Sequence, residues 1–371
     1  MHRQVTVSPA RWWHMPGLSR LIRQTRRMRS APPEELGSAI VWVPGWSPSL
    51  ALLQSVSASP VIGARSPQSI VAEYEGTPIG LAQLRPRREP NQWEVAYLAV
   101  EAAETKGASS AQNSSDGAPL RSSRTPGFSP DRTAARLLGA LCDTAVSLHA
   151  ERVFARVAED NGRYELFRRL GFAPAVREYT YFLPSGFLKP GLEGITGDRD
   201  SGSLVEPIPG LRPQQRSDTF GLLQLYQQCT PKVIQMAEGK RTHLWETPTG
   251  NLGKHLTRRP RVQRWVVEVD ARMVAWLQIE FQSRSPHRVQ LLVDDRSRAL
   301  VHPLLDFVTR LVGTRLQQGI IVFVREPQTH VISALELAGF ELADSQLLMV
   351  KLLATPVLQP QFGRVMEKVV S

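Results

Sequence analysis

Two stretches of this chain share one pattern: Glu73-Tyr74-Glu75-Gly76-Thr77-Pro78-Ile79-Gly80-Leu81-Ala82-Gln83-Leu84 and Glu268-Val269-Asp270-Ala271-Arg272-Met273-Val274-Ala275-Trp276-Leu277-Gln278-Ile279. Each reads as the end of a strand, a two-residue turn and a mainly apolar strand closing on Gln and an aliphatic residue. Gly76 supplies the positive φ that a tight hairpin turn favours. A segment repeated in register is the mark of internal duplication, and it decides how the rest of the chain is read.

The repeat extends outward from the hairpins. Leu137-Leu138 and Leu304-Leu305 each sit on a helical stripe, formed by Leu137, Leu138, Leu141, Ala145 and Leu148 in one copy and by Leu300, Val301, Leu304, Leu305, Val308 and Leu311 in the other. Apolar residues at helical spacing give one buried face. Each stripe is followed, at nearly the same distance, by a strand, a second helix and a Gly-Phe pair, Gly171-Phe172 and Gly339-Phe340. The first copy carries extra residues between hairpin and helix. They run from Glu101 to Pro130 through Ala-Ser-Ser-Ala-Gln-Asn-Ser-Ser-Asp-Gly, too poor in large apolar side chains to offset the entropy of ordering them. The expected organisation is therefore a first unit at 1–183 with a disordered insertion at 101–130, a linker at 184–203, a second unit at 204–355 and a tail at 356–371. A hairpin meander followed by helix, strand, helix and strand implies an α/β fold with a mixed sheet in each unit.

Length and composition agree. A chain of 371 residues with 42% hydrophobic content is long enough for two cores. It contains no apolar run long enough for a transmembrane helix, so no membrane partner is expected. The two cysteines, Cys142 and Cys229, are too few for a disulfide framework and lack metal-ligand spacing. With eight scattered histidines, no metal is expected, and a reducing, cytoplasmic compartment fits best. The net charge of +11 suggests an acidic partner, but the basic residues are spread along the chain without aromatic interleaving, so a nucleic-acid role is not expected. Residues 1–33 hold arginines and no acid. Val5 and Val7 alternate as in a strand, and Leu18, Leu21, Ile22 and Thr25 form a helical stripe, so this segment reads as the start of a domain.

The clearest local signature is Val153-Phe154-Ala155-Arg156-Val157-Ala158-Glu159-Asp160-Asn161, continued by Tyr164, Leu166, Phe167, Arg168, Arg169, Leu170, Gly171 and Phe172. This strand, Asn, helix and Gly-Phe resembles the GNAT superfamily of acyl-coenzyme A N-acyltransferases. Ile320 to Val324 and Ala338 to Phe340 are a fainter version. The resemblance implies two tandem GNAT-like units. It also implies acetyl-CoA as acyl donor, a small-molecule or peptide amine as acceptor, and a splayed fourth strand whose backbone at Leu98, Ala99 and Val100 pairs with the pantetheine arm.

The pyrophosphate loop implied by the same resemblance falls at Asp131 to Arg136. Arg132, Thr133, Ala134, Ala135 and Arg136 stand where glycine-rich backbone N–H groups and a positive helix end would cradle phosphate. Arg132 replaces the first glycine and Ala134 the second. Asn161 and Phe167 complete the implied cofactor set. The second unit has Arg298-Ala299-Leu300-Val301-His302-Pro303 there, without glycine, and Asp294 and Asp295 just before it. For proton handling, the family's tyrosine position is filled by Phe167 and Leu335, which leaves Tyr164 as candidate acid and Glu94 as candidate base. Two functions follow: an N-acyltransferase with the first unit active, or a catalytically inactive tandem binding or regulatory protein.

Overall fold

The structure is a computed structural model and describes residues 5–28, 40–42, 66–87, 89, 91–101, 128–158, 163–185, 208–239, 245, 261–282, 285–313 and 319–354. The expected insertion apart from its ends, most of the linker, and the tail lie outside these residues. The first half contains β1 (Thr6–Pro9), α1 (Met15–Met28), β2 (Ile40–Trp42), β3 (Gln68–Tyr74), β4 (Thr77–Pro86), β5 (Gln92–Val100), α2 (Pro130–Ser147), β6 (Arg152–Val157), α3 (Arg163–Arg169) and β7 (Ala173–Leu183). The second contains β8 (Leu211–Pro213), α4 (Thr219–Cys229), α5 (Lys232–Glu238), β9 (Arg261–Val269), β10 (Arg272–Phe281), β11 (His287–Val293), α6 (Val301–Gly313), β12 (Ile320–Arg325), α7 (Thr329–Leu337) and β13 (Glu341–Leu352). No described helix is long and apolar enough to cross a membrane.

Local chemistry explains the elements. The repeated hairpins β3–β4 and β9–β10 turn on Glu75-Gly76 and Asp270-Ala271, and all four turn residues have positive φ, between 49° and 74°. That is the twist that suits a two-residue hairpin. Helix α2 opens on Ser129, whose Oγ accepts from the Arg132 N–H, with Pro130 in its first turn. It buries Thr133, Ala134, Leu137, Leu138, Leu141, Cys142 and Ala145.

Strand alternation sends successive side chains to opposite faces, and helices cover both. In the first half, Ile70, Ala72, Ala82 and Leu98 pack with α2, whereas Val71, Leu81, Tyr97 and Ala99 pack with Leu18, Leu21 and Ile22 of α1. In the second half, Ala275, Leu277, Val289 and Leu291 pack with α6, and Val266, Trp276 and Leu292 with α4.

The two halves form one continuous sheet in the order β1-β3-β4-β5-β6-β13-β7-β12-β11-β10-β9-β8, with β2 beside β5. The last strand of each half lies inside the other. β13 pairs with both β6 and β7, and β7 pairs with both β12 and β13, all antiparallel. The cores follow the exchange. Tyr181 and Leu183 of β7 are buried in the second half's core, and Met349 of β13 in the first half's. A separate small core joins Phe154 and Val176 to Ile234 of α5, Leu348 and Val350. Tyr181 donates a hydrogen bond to Glu336 of α7 at 2.9 Å.

Candidate functional site: a charged cavity where the halves meet

Five strands deliver charged side chains to one face of the central sheet, the face covered by α4 and α5. Arg85 and Glu94 are cross-strand neighbours on β4 and β5, 2.9 Å apart. Arg156 of β6 contacts Glu94 through Nη1 and Glu178 of β7 through Nε, the latter at 2.7 Å. Arg325 of β12, directly opposite Glu178 in the ladder, lies 3.5 Å from it. Arg325 also donates to both carboxylate oxygens of Glu238, one of them at 3.2 Å. Tyr226 of α4 closes the series with a 2.7 Å hydrogen bond to Glu238. The result is an alternating line of charge, Arg85, Glu94, Arg156, Glu178, Arg325, Glu238, that crosses from one half to the other.

Glu238 is held there by the end of α5. Gln92 of β5 donates to the Glu238 carbonyl at 2.6 Å. The chain then turns at Gly239 with φ 55°, where a Cβ would lie 2.5 Å from the Arg152 guanidinium. The positive φ favours glycine at this helix end, and a side chain there would also displace the Arg152 guanidinium.

Mutual pairing sets the protonation states. Burial pushes the Glu94 carboxyl up, but Arg156, Arg85 and Arg87 more than reverse this and hold it at about 2. Burial likewise raises Glu178, and Arg156 and Arg325 bring it below its ordinary value. Burial lowers Arg156 and Arg325, but their carboxylate partners raise both overall. These groups are ionised throughout the physiological range.

The line of charge forms one wall of a cavity of about 440 Å³. Arg87 and Arg288 lie on the same wall, and Tyr226, Trp245, Trp276 and Phe323 give the cavity an aromatic side. Leu291, Val324 and Gln328 line it where β11 and β12 part. The parallel pairing of those strands ends at Gln290 and Phe323, although both run on. The side chain of Gln328 reaches into the gap and donates to the Leu291 carbonyl at 3.1 Å. At the phosphate-loop position of this half stands a 3-10 turn, Asp295–Leu300, whose first N–H groups face Asp294.

The first half has the matching gap. β5 and β6 pair only over Gln92 to Glu94, and β5 continues to Val100. Beyond the pairing, the edge of β5 is taken by the chain itself: Ile40, Val41 and Trp42 of β2 pair antiparallel with Ala99, Leu98 and Tyr97.

The residues singled out from sequence are distributed as follows. Leu98, Ala99 and Val100 lie on that β5 edge and are buried. Thr133 and Ala134 face the core beneath α2, Ala135 is half-buried, and Arg132 is exposed. Arg136 donates to the Val5 carbonyl at 2.7 Å. Phe167 is fully buried and meets Phe172 edge-on. Tyr164 packs against the core on the α2 side, whereas Glu94 faces the cavity on the other side of the sheet. The structure brings the β5 edge and the start of α2 together in one cluster but does not bring Glu94 and Tyr164 together. Asn161 lies outside the described residues.

Sequence reasoning did not single out Arg85, Arg87, Arg156, Glu178, Glu238, Arg288 and Arg325. Arg85, Arg156, Glu178, Arg288 and Arg325 gave only the signal of a charged residue at an alternating strand position, which ordinarily marks a solvated face, and Arg87 and Glu238, at the ends of β4 and α5, gave none.

No protein-family model matches the chain, and no curated protein matches it closely enough to count as a relative. Among solved structures, a GCN5-related N-acetyltransferase from Sphaerobacter thermophilus is similar at 12% identity, with 94% of this chain and 95% of that one covered and a TM-score of 0.49. A tandem GNAT protein from the clavulanic acid biosynthesis pathway, solved without acetyl-CoA, shows 14% identity over 94% of this chain and 98% of its own, with a TM-score of 0.46. A putative acetyltransferase from Pyrococcus horikoshii shows 10% identity over 94% and 90%, also with a TM-score of 0.46. In its own strand order and pairing, the chain is a mixed α/β fold of two similarly ordered halves joined through an exchange of their last strands.

Proposed function

We propose that this chain is a ligand-binding protein built on a tandem acyltransferase fold, in which the first unit does not accept an acyl-coenzyme A. The observation that carries this reading is the pairing of residues 40–42 with Tyr97, Leu98 and Ala99. A backbone edge already paired with the chain's own N–H and C=O groups has none left for a pantetheine arm. The helix that would face the pyrophosphate adds support. One free N–H at its start is capped by Ser129, an acidic residue, Asp131, sits in its first turn, and Arg136 is committed to Val5. In the second unit Asp294 and Asp295 would repel a pyrophosphate.

One observation favours a second reading. The early parting of β5 from β6 leaves the room that an N-acyltransferase would use, provided β2 leaves. Acetyl-CoA would then be the donor and an amine the acceptor, with the first unit active. Calorimetric titration and thermal shift of the full chain with millimolar acetyl-CoA separate the two. The first reading expects no heat and no shift; saturable binding overturns it. Cys142 and Cys229, neither in a disulfide, are compatible with a cytoplasmic setting for either.

A further inference from the structure

One arginine on the cavity wall has a buried side-chain nitrogen with no partner among the described residues. Arg87 follows β4, and its guanidinium lies 4.0 Å over the Phe154 ring. Among the described residues no carboxylate lies within ion-pairing distance of it, and its Nη1 is buried with no hydrogen-bond partner. An arginine stays charged in proteins, so it cannot escape this cost by losing its proton. Burial lowers its proton affinity, with Glu94, Glu238 and Glu178 opposing this and Arg156 adding to it from beyond contact distance. A buried guanidinium N–H that makes no hydrogen bond is costly unless something supplies the acceptor.

The surroundings narrow what that could be. Five arginines line the cavity, Arg85, Arg87, Arg156, Arg288 and Arg325, against the three glutamates Glu89, Glu94 and Glu178, with Glu238 behind Arg325. Arg288 has Glu280 as its cross-strand neighbour, which leaves Arg87 the one of the five with no carboxylate opposite it among the described residues, a place for a single negative charge. A dianion such as a phosphate would also face Glu94 and Glu178 at close quarters. The cavity lining is also aromatic, with Trp276 edge-on to Trp245 at 5.4 Å and Phe323 on β12 beneath the Arg288 guanidinium. Flat apolar walls with a few polar anchors suit a small ligand with a planar body.

We propose that the cavity binds a small organic monocarboxylate with a flat apolar body, its carboxylate on Arg87 and its body against Trp276 and Phe323. This rests on the reading of the chain as a binding protein and names its ligand class. The ligand would lie across the junction, touching strands of both units.

The full chain would be titrated with 2-naphthoate, its neutral amide 2-naphthamide, and 2-naphthyl phosphate, by calorimetry and by tryptophan fluorescence. The carboxylate is expected to bind roughly ten- to hundredfold more tightly than the amide, the margin of a charge-assisted hydrogen bond, and more tightly than the phosphate. Arg87→Met should abolish that margin, with affinity for the amide retained as the sign that the cavity is intact. Arg87→Lys should keep most of it. Equal affinity for acid and amide, a preference for the phosphate, an Arg87→Met variant that binds like the parent, or no binding of any probe overturns the proposal. An acetyl-CoA titration run alongside separates the two claims. Acetyl-CoA binding with an intact naphthoate margin would overturn only the proposed function, and neither ligand binding would overturn only the cavity.

Discussion

Arg156 and Arg325, on β6 and β12, the corresponding strands of the two units, converge on one carboxylate, that of Glu178. β7 carries that carboxylate and is the strand that the first unit contributes to the second. The same residue thus neutralises an arginine from each half. Glu178→Ala leaves two mostly buried guanidinium groups short of a partner, and breaking such pairs by removing one member costs about 3–5 kcal/mol. Urea unfolding of the variant should show a loss of that size; a loss within experimental error of zero would mean the pair is solvent-screened.

Glu94 predicts how stability responds to acid. Its carboxyl is held at about 2 against an ordinary 4.5. A lowered value in the folded state means that the stabilisation is complete above 4.5 and disappears as the pH falls toward 2. The difference corresponds to about 3 kcal/mol. Unfolding free energies measured from pH 5 to pH 2 should therefore fall in the parent more steeply than in Glu94→Gln. Parallel curves would contradict the burial and pairing described.

The β5 edge offers a test by backbone chemistry. Val41→Pro removes an N–H and disfavours extended pairing in the middle of β2. If β2 alone excludes acyl-coenzyme A, this variant should bind acetyl-CoA where the parent does not, read by calorimetry. A variant as silent as the parent would place the obstacle at the α2 start instead.

Ala271 sits in the second hairpin turn at φ 60°, where the first has Gly76 at φ 74°. A residue with a Cβ in the left-handed region costs about 1–2 kcal/mol relative to its preferred conformations. Ala271→Gly should therefore raise the unfolding free energy by about 1 kcal/mol, net of the extra freedom glycine gains when unfolded. Thermal melts check the sign, and a lower melting temperature would count against the turn geometry.

Much of the fold was legible because burial leaves periodic traces. The hairpins at 73–84 and 268–279, the Leu137 and Leu304 stripes and the Gly-Phe stops lie where their patterns put them. The exchange of β7 and β13 left no trace, because either strand presents the same alternation to either neighbour. β2 was missed because three residues are too few for a period to show. The charged cavity was hidden for a more instructive reason. Glu94 reads as a solvent-facing strand residue, yet it is 3% exposed. The polar face of this sheet is turned not to water but to α4, α5 and the opposite charges of the other half. Composition cannot distinguish a charge that meets water from one that meets its counter-charge.

Order of synthesis adds a constraint of its own. The strand that completes the first unit, β13, is the last of the described strands to leave the ribosome, and it belongs at the middle of the sheet. Domains ordinarily settle one after another as they emerge. Here the early half must wait, with the flank of β6 uncovered, until the final strand arrives, so nascent chains stalled before Glu341 would offer that flank to whatever strand meets it first.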